Sequence, residues 1–172
     1  LIAVLALVLA LAETFAGSAQ TAALAQNIEA SNLWNFFQAK TQRMTAVRTA
    51  AEGLEVQLPT FTDPAVRAAA EKRIKDWQAT AARYDSEPET QEGRKELAGR
   101  AKAAEGRRDT SLAAYHHFEV ASALVQIAIV LASATILTHA MVLAWIAGAL
   151  GLAGVGFCLI GFLAPNSLHL FH

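Results

Sequence analysis

All 29 charged side chains of this chain, 14 basic and 15 acidic, fall between Glu13 and Glu119. Leu1 to Ala12 and Val120 to His172 contain no Asp, Glu, Lys or Arg. Charge-free flanks of that length do not fit the surface of a soluble globule, so a single soluble domain is excluded. The pattern that remains is a membrane protein with one polar domain between apolar ends. With a net charge of -1 there is no basic field for nucleic acid, and no Lys/Arg run is interleaved with aromatics. Cys158 is the only cysteine, which excludes an internal disulfide and any zinc site built on cysteines.

From Val120 to His172 the chain has 53 residues without a charge. As one helix they would reach ~80 Å at about 1.5 Å per residue, against a hydrocarbon core of roughly 30 Å. Two antiparallel spans are therefore expected, over 120–137 and 140–164, broken at Thr138 and His139 and followed by a short tail, 165–172, that starts with Pro165 and Asn166. Trp145 suits an interfacial anchor. The first span covers 1–12, less than the roughly 20 residues a crossing needs, and no methionine precedes it, so its N-terminal part is expected to lie upstream. Gly17-Ser18-Ala19 would also suit a signal-peptide cleavage site; a retained anchor is the reading adopted.

The polar segment 13–119 has no alternating β-branched run and no Asn-Gly hairpin signal, so it is expected to be wholly helical. Leu33, Phe37, Lys40, Met44, Val47, Ala51, Leu54 and Leu58 follow a 4-3 spacing in which only Lys40 is charged. The same register upstream gives Ala16, Ala19, Ala23, Gln26 and Ala30, a lower half lined mainly by alanine. Pro59 to Asp63 reads as the tip of a hairpin, because Asp63-Pro64 is an N-cap followed by proline at the first helical position. A returning arm carries Ala70, Ile74, Trp77, Ala81 and Tyr84. It breaks at 85–88, where Ser86 and Glu89 have the spacing of a capping box that would start a third helix. The fold class expected is all-α: three transmembrane helices with a long antiparallel, coiled-coil-like hairpin inserted between the first two.

In the third span Ala140, Ala144, Ala147, Gly151, Gly154, Cys158 and Gly161 repeat at 4-3 spacing, a furrow of small residues suited to close helix packing. Together with Ala23, the aromatics Trp34, Phe36 and Phe37, and Gln126 inside the second span, Ala147, Gly151 and Gly154 are the expected packing or assembly positions. No ionisable group is expected at depth in a span. His116, His117 and Glu119, with Glu13 from the facing arm, are weak candidates for an interfacial metal, since a single His-x-x-Glu lacks the second copy that bundle metal sites use. Gly151-x-x-Gly154-x-Gly156 lies inside a span and is no phosphate loop.

Two stretches carry a family resemblance. Asn32-Leu-Trp-Asn-Phe-Phe-Gln-Ala-Lys40 and the run from His116 through Leu137 resemble signatures of the bacterial membrane proteins grouped as domain of unknown function 4337, and Gly151 to Phe157 resembles that family's third span. The resemblance implies three spans in the bacterial inner membrane, a helical insert after the first, and no assigned activity. Its relatives often carry basic residues between spans two and three, where this chain has only His139. Arg100, Lys102, Arg107 and Arg108 would instead place the hairpin in the cytoplasm, so the two signals oppose each other.

These features favour a non-enzymatic, membrane-anchored scaffold that needs no cofactor and meets lipid together with a second copy or a companion membrane subunit. The alternatives are an oligomeric small-solute conduit, or a regulator of one, and an enzyme with an interfacial metal.

Overall fold

The computed structural model describes residues 1–167. Within them the chain forms four α-helices and no strand: α1, Ile2–Gln57; α2, Pro64–Asp85; α3, Arg94–Thr138; and α4, Met141–Leu163. Single 3-10 turns follow α1 at Leu58–Thr60 and α4 at Pro165–Ser167. Of the tail, 168–172 lies outside the described residues. Three of the helices, α1, α3 and α4, are long and apolar enough to cross a membrane. The chain divides into two compact units, one made of Leu1–Asn27 with Glu105–His172 and the other of Ile28–Ala104.

Burial along α1 follows the 4-3 register of its sequence. From Ile2 through Ala12, Ala23, Leu33 and Met44 to Leu58, every position of that register is buried or half-buried. The period of 3.5 keeps one stripe facing its neighbours over the length of the helix. Lys40 occupies that stripe and is 6% exposed.

In the first unit, Leu5, Val125, Ala128, Ala132 and Ala147 form the buried core, with Ile2, Leu9 and Leu150 packed around it. Here α1 and α3 run antiparallel. Arg108 donates to the Asn27 side chain at 3.4 Å, Ser111 to Gln26 at 3.2 Å and Gln126 to Glu13 at 3.4 Å, so α1 numbers fall as α3 numbers rise. The passage from α3 to α4 takes two residues. His139 adopts φ 56, a left-handed conformation that closes a helix end and that histidine tolerates better than β-branched residues do. The Thr138 hydroxyl then accepts from the Ala140 amide at 3.4 Å.

In the second unit, Ala30, Leu33, Leu97, Ala101 and Ala104 form the core, flanked by Trp34, Phe36 and Phe37. Leu97 is fully buried, which is worth about 1.5–3 kcal/mol relative to an exposed leucine. Pro64 opens α2 under the cap of Asp63, whose Oδ1 accepts from the Ala65 amide at 2.8 Å. Ala70, Ile74 and Ala81 are the buried residues of α2.

The start of the third helix differs from the sequence expectation. Ser86 and Glu89 form no capping box, and α3 begins at Arg94, after a loop that runs from Ser86 to Gly93. Pro88 disfavours helical geometry at Glu87, and Ser86 before it is already extended, with φ -148 and ψ 127. Glu96 takes the Ser86 hydroxyl instead and ties the loop to the first turn of α3: its Oε1 accepts from the Ser86 hydroxyl at 2.6 Å and its Oε2 from the Glu87 amide at 3.1 Å. Gly93 permits that closeness, because a Cβ there would collide with Glu96 Oε2 and the Glu87 nitrogen. Gln91, with φ 58, turns the loop.

Candidate functional site

Within the first unit the small residues of α4 make a furrow that receives side chains of α1 and α3. Ala147, Gly151 and Gly154 are buried. A Cβ on Gly151 would stand 2.6 Å from Leu5 Cδ2, and one on Gly154 would stand 2.6 Å from Val125 Cγ2 and 3.2 Å from the Ala121 carbonyl oxygen. Gly161 faces Phe118 and His117 in the same way. Ala23 is 3% exposed in the α1 stripe. Gln126 is exposed on α3, and its amide donates to Glu13 Oε1 at 3.4 Å and to Ser122 Oγ at 3.2 Å.

In the second unit, charge collects where α2 gives way to α3. Lys40 Nζ lies 3.7 Å from Glu87 Oε2 and 3.9 Å from Glu92 Oε2, and sits over the rings of Tyr84, at 5.3 Å, and Phe36, at 5.5 Å. Two carboxylates and two aromatic faces compensate an ammonium that the stripe withdraws from water. Arg94 stacks over Phe37 at 5.1 Å, donates to the Thr41 hydroxyl at 2.9 Å and pairs with Asp85 Oδ1 at 3.2 Å. Trp34 meets Phe37 edge-on, with ring centroids 5.4 Å apart. The hydrogen bond from Lys95, followed by the charges of Lys95, Arg94 and Arg48, holds the Asp85 carboxyl below its ordinary range against a partial opposing effect of burial. The Ser86 hydroxyl bond does the same for Glu96.

The weak metal candidates do not all converge on one point. His116 Nδ1 lies 3.6 Å from Glu119 Oε2. His117 is 1% exposed, donates from Nε2 to the Pro165 carbonyl at 3.1 Å and stacks on Phe157. Glu13 is beside Gln126 instead of joining them. Among the described residues no three His, Cys, Asp or Glu side chains gather as metal ligands.

Sequence reading missed Arg94, Glu96 and the Glu13–Gln126 contact. Gly93, three residues before Glu96, was the available signal for that close approach. The Glu13 contact had none, since it depends on how α1 and α3 are aligned. No curated protein and no solved structure matches the chain. A family model matches residues 1–164, nearly the whole length over which these seams and charge clusters lie, and the chain belongs to that family, described as a domain of unknown function (DUF4337).

Proposed function

We propose that this protein is a non-enzymatic, membrane-anchored helical scaffold of the bacterial inner membrane, which self-associates or stabilises a larger membrane assembly. α1, α3 and α4 each supply a span, and the polar segment between α1 and the second span folds as a long antiparallel hairpin of coiled-coil type with its tip at Leu58–Asp63. One observation carries the membrane reading: the most apolar windows of α1, α3 and α4 are only 11%, 22% and 22% buried within the chain. Apolar helix exposed on that scale needs lipid or protein around it. Self-association is supported by the outer face of α1, where Leu7, Leu11, Leu24 and Ile28 are 48–63% exposed. The buried Lys40 supports a register-setting role, the best-attested use of a polar residue in a helical seam.

Native mass spectrometry of the full chain, extracted in mild detergent, tests the scaffold reading. An oligomer or a defined complex with a companion subunit is expected, and a monodisperse monomer overturns it. For the hairpin, cysteines at Val47 and Trp77 should join within one chain under oxidation. Products joined only between chains overturn the antiparallel arrangement.

A further inference from the structure

Glu13 is the only charged side chain in the first 28 residues. Its surroundings place it within the apolar slab, on the reading of α1, α3 and α4 as spans, on which this inference rests. Two residues further along α1, the Phe15 ring lies 5.6 Å from Phe118 and 6.1 Å from Phe162, in the last turn of α4. Glu13 is therefore on the inner side of that aromatic layer. Its carboxylate takes a hydrogen bond from Gln126 at 3.4 Å. Gln126 lies seven residues beyond Glu119, ~10 Å deeper along α3 at about 1.5 Å per residue. The side chain, exposed on the surface of the chain, thus leans toward greater depth, where a carboxylate seeking water would lean the other way.

The charges of the packed elements leave Glu13 uncompensated. There is no Lys or Arg between Leu1 and Ala39 and none between Asp109 and His172. Within Leu1–Asn27 and Glu105–His172 the only permanent cations are Arg107 and Arg108, about two turns before Tyr115 on α3, and Arg108 holds Asp109 at 2.8 Å. The titratable groups between them and the end of α4 are Asp109, Tyr115, His116, His117 and Glu119 on α3, His139 in the turn between α3 and α4, and Cys158 on α4. His116 is beside Glu119 and His117 is bound to Pro165. The neighbours of the carboxylate are neutral polar groups instead: Gln126 Nε2, which donates to it, and, 3.2 Å from that nitrogen, the Ser122 hydroxyl. A carboxylate at membrane depth is costly without a counter-charge and marks an ion or proton site by default.

We propose that Glu13, Gln126 and Ser122 form a site inside the membrane for a small monovalent cation, a proton or a sodium ion. The carboxylate supplies the charge. Gln126 and Ser122 supply the polar groups that hold it in place, and a turn of the Gln126 amide presents its oxygen to sodium.

Carbodiimides test this on the full chain in lipid nanodiscs, because they modify only protonated carboxyls and the apolar and water-soluble reagents sample different phases. With dicyclohexylcarbodiimide in sodium-free buffer, peptide mass spectrometry should find Glu13 modified ahead of Glu29, and a water-soluble carbodiimide should give the reverse order. Added sodium slows the Glu13 reaction if sodium is the occupant and leaves it unchanged if the site holds only a proton; Gln126→Leu should weaken any such protection. No Glu13 adduct in sodium-free buffer overturns the site. Equal reaction of Glu13 and Glu29 with the water-soluble reagent also overturns it, provided that Leu7→Cys stays closed to a water-soluble maleimide. If Leu7→Cys reacts as well, the membrane reading has failed along with the site.

Discussion

Leu5 occupies the space that Gly151 leaves empty: its Cδ2 atom is 2.6 Å from where a Cβ on Gly151 would stand. In lipid no hydrophobic force draws helices together, so close contact at such a furrow is a leading source of their association. Gly151→Leu should lower the melting temperature of the purified chain by the equivalent of about 1–3 kcal/mol, the usual cost of overpacking. Gly148 faces open space and is the control. Thermal unfolding of Gly151→Leu, Gly154→Ala and Gly148→Ala by circular dichroism checks the ranking. Equal melting temperatures for all three would show that the furrow is not close-packed.

Lys40 and Glu87 separate the energetics of a buried ion pair from its specificity. Lys40→Met keeps the volume of the side chain and removes its desolvation, so the melting temperature should hold or rise. Glu87→Ala leaves the ammonium with the half-exposed Glu92 as its remaining carboxylate and should cost about 1–3 kcal/mol. The opposite order, with Lys40→Met the more damaging, would mean that the pair contributes net stability.

The loop between α2 and α3 should be sensitive to acid. Asp85 and Glu96 titrate below their ordinary values of 3.8 and 4.5 in the folded chain. Depressed folded values mean that the unfolded chain takes up protons first. The stability these groups contribute is present above those ordinary values and is lost as the pH falls through the folded ones. Lys95→Ala should shrink the loss assigned to Asp85, and Ser86→Ala that assigned to Glu96, when unfolding is followed from pH 6 down to about pH 3. An acid limb unchanged in both variants would count against this account.

Gly93 offers a sharper test of the same loop. An added methyl would meet the Glu87 nitrogen and Glu96 Oε2, and would stand 2.7 Å from Ser86 Cα. Gly93→Ala should therefore destabilise by about 1–3 kcal/mol and remove the protection of the Glu87 amide in hydrogen exchange. Gly99→Ala, which meets nothing within 4 Å, should do neither.

Some of this was legible from residues alone because its cause is local. The missing charges mark the helices apolar enough to cross a membrane, and the 4-3 spacing from Leu33 to Leu58 marks the sheltered stripe of α1, since a helix carries its own periodicity. Asp63 and Pro64 likewise start α2 through their own side chain and ring. Ser86 and Glu89 misled because a capping box is a local signal that Glu96, ten residues after Ser86, outcompetes once Gly93 lets the chain close.

The sequence by itself determined which residues are apolar, which face of each helix is small or charged, and that Lys40 would enter a stripe otherwise free of charge. Tertiary structure decided which of these faces meet. Leu5 fills Gly151 and Glu13 reaches Gln126 through an alignment of helices far apart in the chain, and no period within one helix encodes its offset against another. That offset is set by the packing of Leu5, Val125 and Phe118 against α4, and it brings Glu13 beside Gln126.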